Sequence, residues 1–143
     1  MKKQLNKWLS VFMIIIEIRF TGELADYYSV EYCVHIQDYG DMQGWVQDGA
    51  LAGTTGESKR IEVLAVVIAP KGMEDNISVQ YRVYAQDIGW MAWAKNGECA
   101  GTAGRSARLE GIQIVLVPKG DPAPGATYEG ITAVTDKAFV EGF

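Results

Sequence analysis

The sequence predicts an all-β fold assembled from a tandem repeat, and three observations predict it. The string VEYCVHIQDYG from Val30 returns as VQYRVYAQDIG from Val79, a period of about 48 residues. Each copy opens on strict alternation of apolar and polar residues, the signature of a half-buried strand. Each copy closes on an apolar run that ends in Pro-Lys-Gly, at Pro70 and at Pro118. A single repeat cannot bury its apolar face, so neighbouring units must pack together. Three short strands per unit favour a pseudo-threefold arrangement, β-prism or β-trefoil-like.

Composition narrows the function classes. An apolar fraction of 48% in 143 residues suits a packed chain, and 16 glycines suit one that turns often. The net charge is -5, and no Lys/Arg cluster exists beyond Lys2, Lys3 and Lys7, so no nucleic-acid partner is expected. With His35 as the one histidine, a histidine-rich metal site is excluded, and no metal or cofactor is expected. Cys33 and Cys99 stand at different places in the repeat. They can form a disulfide only if the fold brings them close.

In chain order, Lys2, Lys3 and Lys7 precede an apolar run from Trp8 to Ile16. This resembles the opening of a secretory signal, is too short to span a membrane, and lacks a small-x-small cleavage site. Residues 1–12 therefore read either as signal-like sequence or as sequence foreign to the repeat. Ile16, Glu17, Ile18, Arg19 and Phe20 share the phase of Leu64–Ile68 and of Ile112–Leu116. Residues 13–29 are expected to be the closing strand of a truncated unit plus a linker. Repeat 1 with its linker is 30–78, repeat 2 is 79–120, and 121–143 is a C-terminal extension.

Within the repeat, Val30, Tyr32, Val34 and Ile36 fall on one side of the opening strand. Glu31, Cys33, His35 and Gln37 fall on the other. The second copy sets Val79, Tyr81, Val83 and Ala85 against Gln80, Arg82, Tyr84 and Gln86. A second short strand is expected near Trp45-Val46 and from Trp90 to Ala94. Asp48-Gly49 and Asn96-Gly97 follow it and signal hairpins. In the third strand the inward phase slips, from Ile61 to Leu64 and from Leu109 to Ile112. The same slip in both copies predicts a bulge or bend at Glu62 and Glu110.

These residues carry a family resemblance. HIQDYG…W and YAQDIGWMAW, each followed by Asp/Asn-Gly and by AGTxGxSxR, resemble the clostridial hydrophobic repeat with a conserved tryptophan, the ChW repeat. The resemblance runs from about Ile16 to Gly120, and the tail with APGATYEG resembles the extension that follows a last repeat. The first copy departs from the pattern, with Gly40-Asp41 where the second has Gly89-Trp90. The resemblance implies secreted or surface-associated proteins of clostridia and related bacteria, and a non-catalytic module that meets a cell surface or polysaccharide.

The ligand-binding candidates are aromatic and polar. Trp45, Trp90 and Trp93 stand near turns, with Tyr84 and His35 on the polar side of the opening strands and Gln37, Asp38, Gln86 and Asp87 beside them. Flat aromatic faces can stack on sugar rings while polar groups bond hydroxyls. Trp45 and Trp93, at one fixed repeat position, are expected to anchor the cores, and Trp90 to be the exposed aromatic. His35 is expected as a surface or binding-face residue. Asp38 and Asp87 are expected to serve turn backbone, and Glu62 and Glu110 to pair with a neighbouring unit. No catalytic set is expected, because a paired-carboxylate site would not be repeated in every unit.

The expected function is a non-catalytic extracellular or cell-surface binding module for carbohydrate or cell-wall polymer. Its rival is contact with a surface protein, or self-association through the incomplete sector. A remnant of a larger surface hydrolase is the remoter reading.

Overall fold

The computed structural model describes residues 3–8, 15–39, 44–72 and 74–141. The fold is all-β with several sheets. Unit 1 contains β3 (Tyr28–Ile36), β4 (Val46–Gln47), β5 (Ala52–Gly53) and β6 (Ile61–Pro70). Unit 2 contains β7 (Ile77–Ala85), β8 (Gly89–Trp90), β9 (Ala94–Lys95), β10 (Ala100–Ala103) and β11 (Leu109–Pro118). Before them come β1 (Lys3–Trp8), β2 (Ile15–Ile16) and the single turn α1 (Leu24–Tyr27). After them come β12 (Thr127–Tyr128), β13 (Ile131–Thr132) and β14 (Phe139–Glu141).

The alternating pattern forms the core as expected. Val30, Tyr32, Val34 and Ile36 are buried, as are Val79, Tyr81, Val83 and Ala85. Each opening strand lies antiparallel along its own closing strand, β3 on β6 and β7 on β11. The expected bulge is present at the expected residue. Register skips Glu62 between the His35–Val63 and Ile36–Ile61 pairs, and skips Glu110 between Tyr84–Gly111 and Ala85–Leu109.

The Asp-Gly and Asn-Gly turns have the expected conformation and an unexpected job. Asp48 and Gly49 both have positive φ (50° and 92°), as do Asn96 and Gly97 (43° and 92°). The strands on either side do not pair with each other: β4 pairs with β3, while β5 pairs with β2. The turn is a corner between units. The Val30 N–H donates to Asp48 Oδ1 at 3.0 Å, tying the corner to its own opening strand. The Gly49 N–H donates to the Ile18 carbonyl at 2.8 Å, tying it to the sector before. In unit 2 the Val79 N–H donates to Asn96 Oδ1 at 3.2 Å, and the Gly97 N–H to the Val66 carbonyl at 2.8 Å.

The same pairing recurs in the sector before unit 1. Ile15 and Ile16 pair with Gly53 and Ala52, as Val63 and Leu64 pair with Gly101 and Ala100. Residues 15–20 therefore hold the place of a closing strand. Within the stretch read as signal-like or foreign, Lys3–Trp8 runs antiparallel along β11, with Lys7 opposite Ile112 and Trp8 opposite Gly111. That is the edge of β11 that corresponds to the edge of β6 used by β10. The other residues of 1–12, and the Gly40-Asp41 pair, lie outside the described residues.

The cysteines are free thiols. Cys33 stands opposite Ala65 across β3 and β6. Continuing the β10–β6 register back one residue sets Cys99 on the other side of Ala65. Two strand spacings, about 9.6 Å, exceed what a disulfide spans. Burial pushes the Cys33 thiol up to about 11.

The crossing between units leaves no room for a side chain. Gly101 sits at φ 124°, and a Cβ there would run into the Glu62 carbonyl oxygen. Gly56 also has positive φ (72°) but faces open space. Gly101→Ala is therefore expected to cost at least about 2 kcal/mol in urea unfolding. Gly56→Ala, with backbone conformation alone at stake, should cost about 1 kcal/mol.

Candidate functional site

The outer side of unit 2 is built around a buried arginine. Arg82 is 0% exposed, and its guanidinium lies between two indoles, 5.3 Å from the Trp90 ring centre and 4.8 Å from that of Trp93. Its Nε donates to Gln113 Oε1 at 2.7 Å. Its Nη atoms donate to the carbonyls of Ala126 (2.9 Å), Tyr128 (3.3 Å) and Ile131 (3.1 Å). A buried cation is tolerable only when its donors are satisfied, and here peptide carbonyls and ring faces satisfy them. The carbonyls of Tyr128 and Ile131 flank the turn of the β12–β13 hairpin, so Arg82 grips the C-terminal extension. Trp93 Nε1 adds a bond to the Gly125 carbonyl at 3.2 Å, and its ring meets Tyr128 edge-on.

This arrangement corrects the expected division of labour among the tryptophans. Trp90, expected to be exposed, is 6% exposed, whereas Trp45, expected to anchor a core, is 48% exposed. Trp90 is buried because unit 2 makes room for it. A Cβ at Gly111 would come within 3.2 Å of Trp90 Cη2, and Tyr84 meets the Trp90 ring edge-on at 5.7 Å. The three residues Arg82, Trp90 and Gly111 replace Cys33, Asp41 and Val63 of unit 1 together. Trp93 is half-buried because the extension covers it. Trp45, its counterpart, meets no such cover among the described residues.

Other candidates also change place. The His35 side chain is 13% exposed, not a surface residue, and its Nε2 lies 3.4 Å from Glu62 Oε1. Glu62 and Glu110 pair inside their own units, not across to a neighbour. Arg60 Nε meets Glu62 Oε2 at 2.7 Å, and Arg108 Nε meets Glu110 Oε2 at 3.0 Å. Each pair joins residues two apart across the first residue of the closing strand, with the glutamate at the bulge. Asp38 and Asp87 are exposed turn residues with positive φ (68° and 64°).

The Q-D-x-G turn and the G-x-S-x-R loop meet at one rim of each unit, and there the two units differ. The backbone scaffold is shared: the Gln37 N–H donates to the Arg60 carbonyl and the Gln86 N–H to the Arg108 carbonyl, both at 2.9 Å. In unit 1 the rim is bridged. Lys59 Nζ bonds Asp38 Oδ2 at 2.8 Å, Tyr39 bonds Glu57, and Gln37 Oε1 accepts from the Arg60 N–H. In unit 2 the residues at the places of Glu57 and Lys59 are Arg105 and Ala107. A cavity of about 380 Å³ opens there, lined by Gln86, Asp87, Ile88, Arg105, Ser106 and Ala107. Its amide, carboxylate and hydroxyl groups beside Ile88 can bond a polyhydroxylated ligand while an apolar face is covered.

Of the expected binding residues, the structure brings Gln86 and Asp87 to this cavity. It places Tyr84, Trp90 and Trp93 around Arg82, and distributes Trp45, His35, Gln37 and Asp38 over unit 1. Arg82, Arg105 and Ser106 were missed. The joint change of Arg82, Trp90 and Gly111 between copies was the signal that could have found the first. No group of three metal-ligating side chains occurs among the described residues.

The profile of the family described as Clostridial hydrophobic W (ChW) matches residues 35–69 and 84–118. No curated protein and no solved structure matches the chain.

Trp90→Ala is expected to destabilise the fold by about 3–5 kcal/mol. Trp45→Ala should cost under about 1 kcal/mol. Chemical denaturation of both variants checks the reversal. The hydrogen bond and charge of Lys59 hold the Asp38 carboxyl below its usual 3.8. Such a depressed group stabilises at neutral pH and loses that contribution as pH falls through its folded-state value. NMR titration should find Asp38 low in the native chain and restored in Lys59→Ala.

Proposed function

From the premise that the chain carries two adjacent repeats of the ChW family, we propose that it is a non-catalytic binding module for carbohydrate or cell-wall polymer at the cell exterior. The open rim cavity of unit 2 carries this reading. It gathers the two repeated motifs, presents Gln86, Asp87 and Ser106 beside Ile88, and has a size suited to one or two sugar rings. Unit 1, with the same frame bridged by Lys59–Asp38, is then a supporting unit with one binding rim next to it. We read the three inter-sector pairings, β2 with β5, β6 with β10 and β11 with β1, as one closed pseudo-threefold arrangement of the β-prism or β-trefoil kind.

A second reading is a protein-contact module. Trp45, Tyr39 and Leu51, at 48%, 43% and 42% exposure on unit 1, favour it, because exposed aromatics anchor interfaces.

Polysaccharide pull-down and glycan-array binding separate the two readings. Wild type and Trp45→Ala should bind the same glycan. Gln86→Ala and Asp87→Ala should lose about tenfold in affinity each, the cost of one hydrogen-bonding partner to a charged or polar ligand group. Glycan binding that follows Trp45 and ignores Gln86 and Asp87 would remove the rim from the site. Absence of any glycan binding would favour the protein-contact reading.

A further inference from the structure

The two complete units show what a closing strand carries on its edges. β6 is paired by β3 on one edge and β10 on the other, and β11 by β7 and β1. Residues 15–20 hold the same place in the sector before unit 1. Among the described residues they are paired on one edge only, by β5 and by the Gly49 N–H. Ile18 is half-buried where its counterparts Val66 and Ile114 are 0% and 7% exposed. Phe20 is half-buried, as is its unit 1 counterpart Ile68, while Leu116 of unit 2 is 4% exposed. A cavity of about 400 Å³, lined by Ile15, Glu17, Arg19 and Gly49, lies along this segment.

Backbone geometry says which groups face the open edge. The Ile18 carbonyl bonds inward to Gly49. β2 itself ends at Ile16; with the strand continued to Phe20, as pairing by a further strand would continue it, Glu17 and Arg19 direct their backbone groups to the edge away from Gly49. Their side chains are exposed as well. The corresponding residues of β6 are Ala65 and Val67, and those of β11 are Gln113 and Val115. Neither β6 nor β11 carries a charge at these two places.

We propose that this edge is paired by the same segment of a second copy, antiparallel about a twofold axis at Ile18. The order Ile16-Glu17-Ile18-Arg19-Phe20 is self-complementary in that register. Ile18 meets Ile18 as a non-hydrogen-bonded pair, Glu17 of each copy stands opposite Arg19 of the other, and Ile16 stands opposite Phe20. The Glu17–Arg19 pairs are the hydrogen-bonded pairs, which matches the outward direction of their backbone groups. Charges on a sheet edge commonly serve to prevent pairing. Here each charge faces its opposite, so the pattern admits a second copy and disfavours an unrelated strand.

Sedimentation velocity on the full chain across a concentration series tests this. Wild type should show a monomer–dimer equilibrium. Glu17→Arg and Arg19→Glu should each weaken it by about tenfold or more, since each puts like charges opposite. The double variant with both substitutions should restore it, and circular dichroism should show all variants folded. Trp45→Ala should leave the dimer intact and glycan binding is measured separately, so failure here and failure of the rim reading are distinguishable. A wild type that stays monomeric at every concentration overturns the proposal and makes Glu17 and Arg19 guards against pairing. A dimer indifferent to both reversals, a double variant that stays monomeric, or a dimer lost in Trp45→Ala also overturns it.

Discussion

The corner at Asp48-Gly49, repeated at Asn96-Gly97, is the constraint on which the rest of the structure depends. One side chain oxygen holds the corner to the opening strand of its own unit, and one glycine N–H holds it to the closing strand of the sector before. The chain therefore leaves each unit's sheet at a fixed point and enters its neighbour's. The tyrosines confirm the geometry from inside, since Tyr32 donates to the Ala50 carbonyl and Tyr81 to the Glu98 carbonyl just past the corner. No unit owns all the strands that cover its core. Stability is a property of neighbours, as in other repeat architectures.

That dependence leaves the outer side of each unit free to differ. The inner faces of β3 and β7 carry near-identical residues, because both pack into one shared core. Outside, unit 2 exchanges a cysteine for Arg82 and a valine for Gly111, admits Trp90, and draws the C-terminal extension over the result. Unit 1 has Cys33 and Val63 at these places and leaves Trp45 in solvent. The rims diverge in the same way, bridged by the Lys59–Asp38 ion pair in one unit and lined around a cavity in the other. One framework thus supports two surfaces that differ at corresponding places.

Much of the fold was legible because its signals are local. Period-two alternation placed Val30 to Ile36 and Val79 to Ala85 correctly, and the doubled phase slip located the bulge at Glu62 and Glu110. The phase of Ile16 to Phe20 matched that of the closing strands, and Ile15 and Ile16 pair as Val63 and Leu64 do. The turn dipeptides were read correctly as turns and wrongly as hairpins. A positive φ at two successive residues sets the bend, but which strands then pair depends on the sector before, more than thirty residues away for Gly49 and Ile18.

The candidate site was legible only in part. Gln86 and Asp87 stood out as repeated polar residues, but the cavity they line exists because Ala107 replaces a lysine that would bridge it. The sequence by itself determined the repeat, the strand phases, the bulge and the left-handed turns, since each follows from side-chain alternation or backbone conformation within a few residues. Only the tertiary structure decided which tryptophan is buried. A side chain on the outer face of a strand is covered or exposed according to what a distant segment lays across it. For Trp93 and Arg82 that segment is the extension beyond Gly120, and Trp45 has no counterpart to it among the described residues.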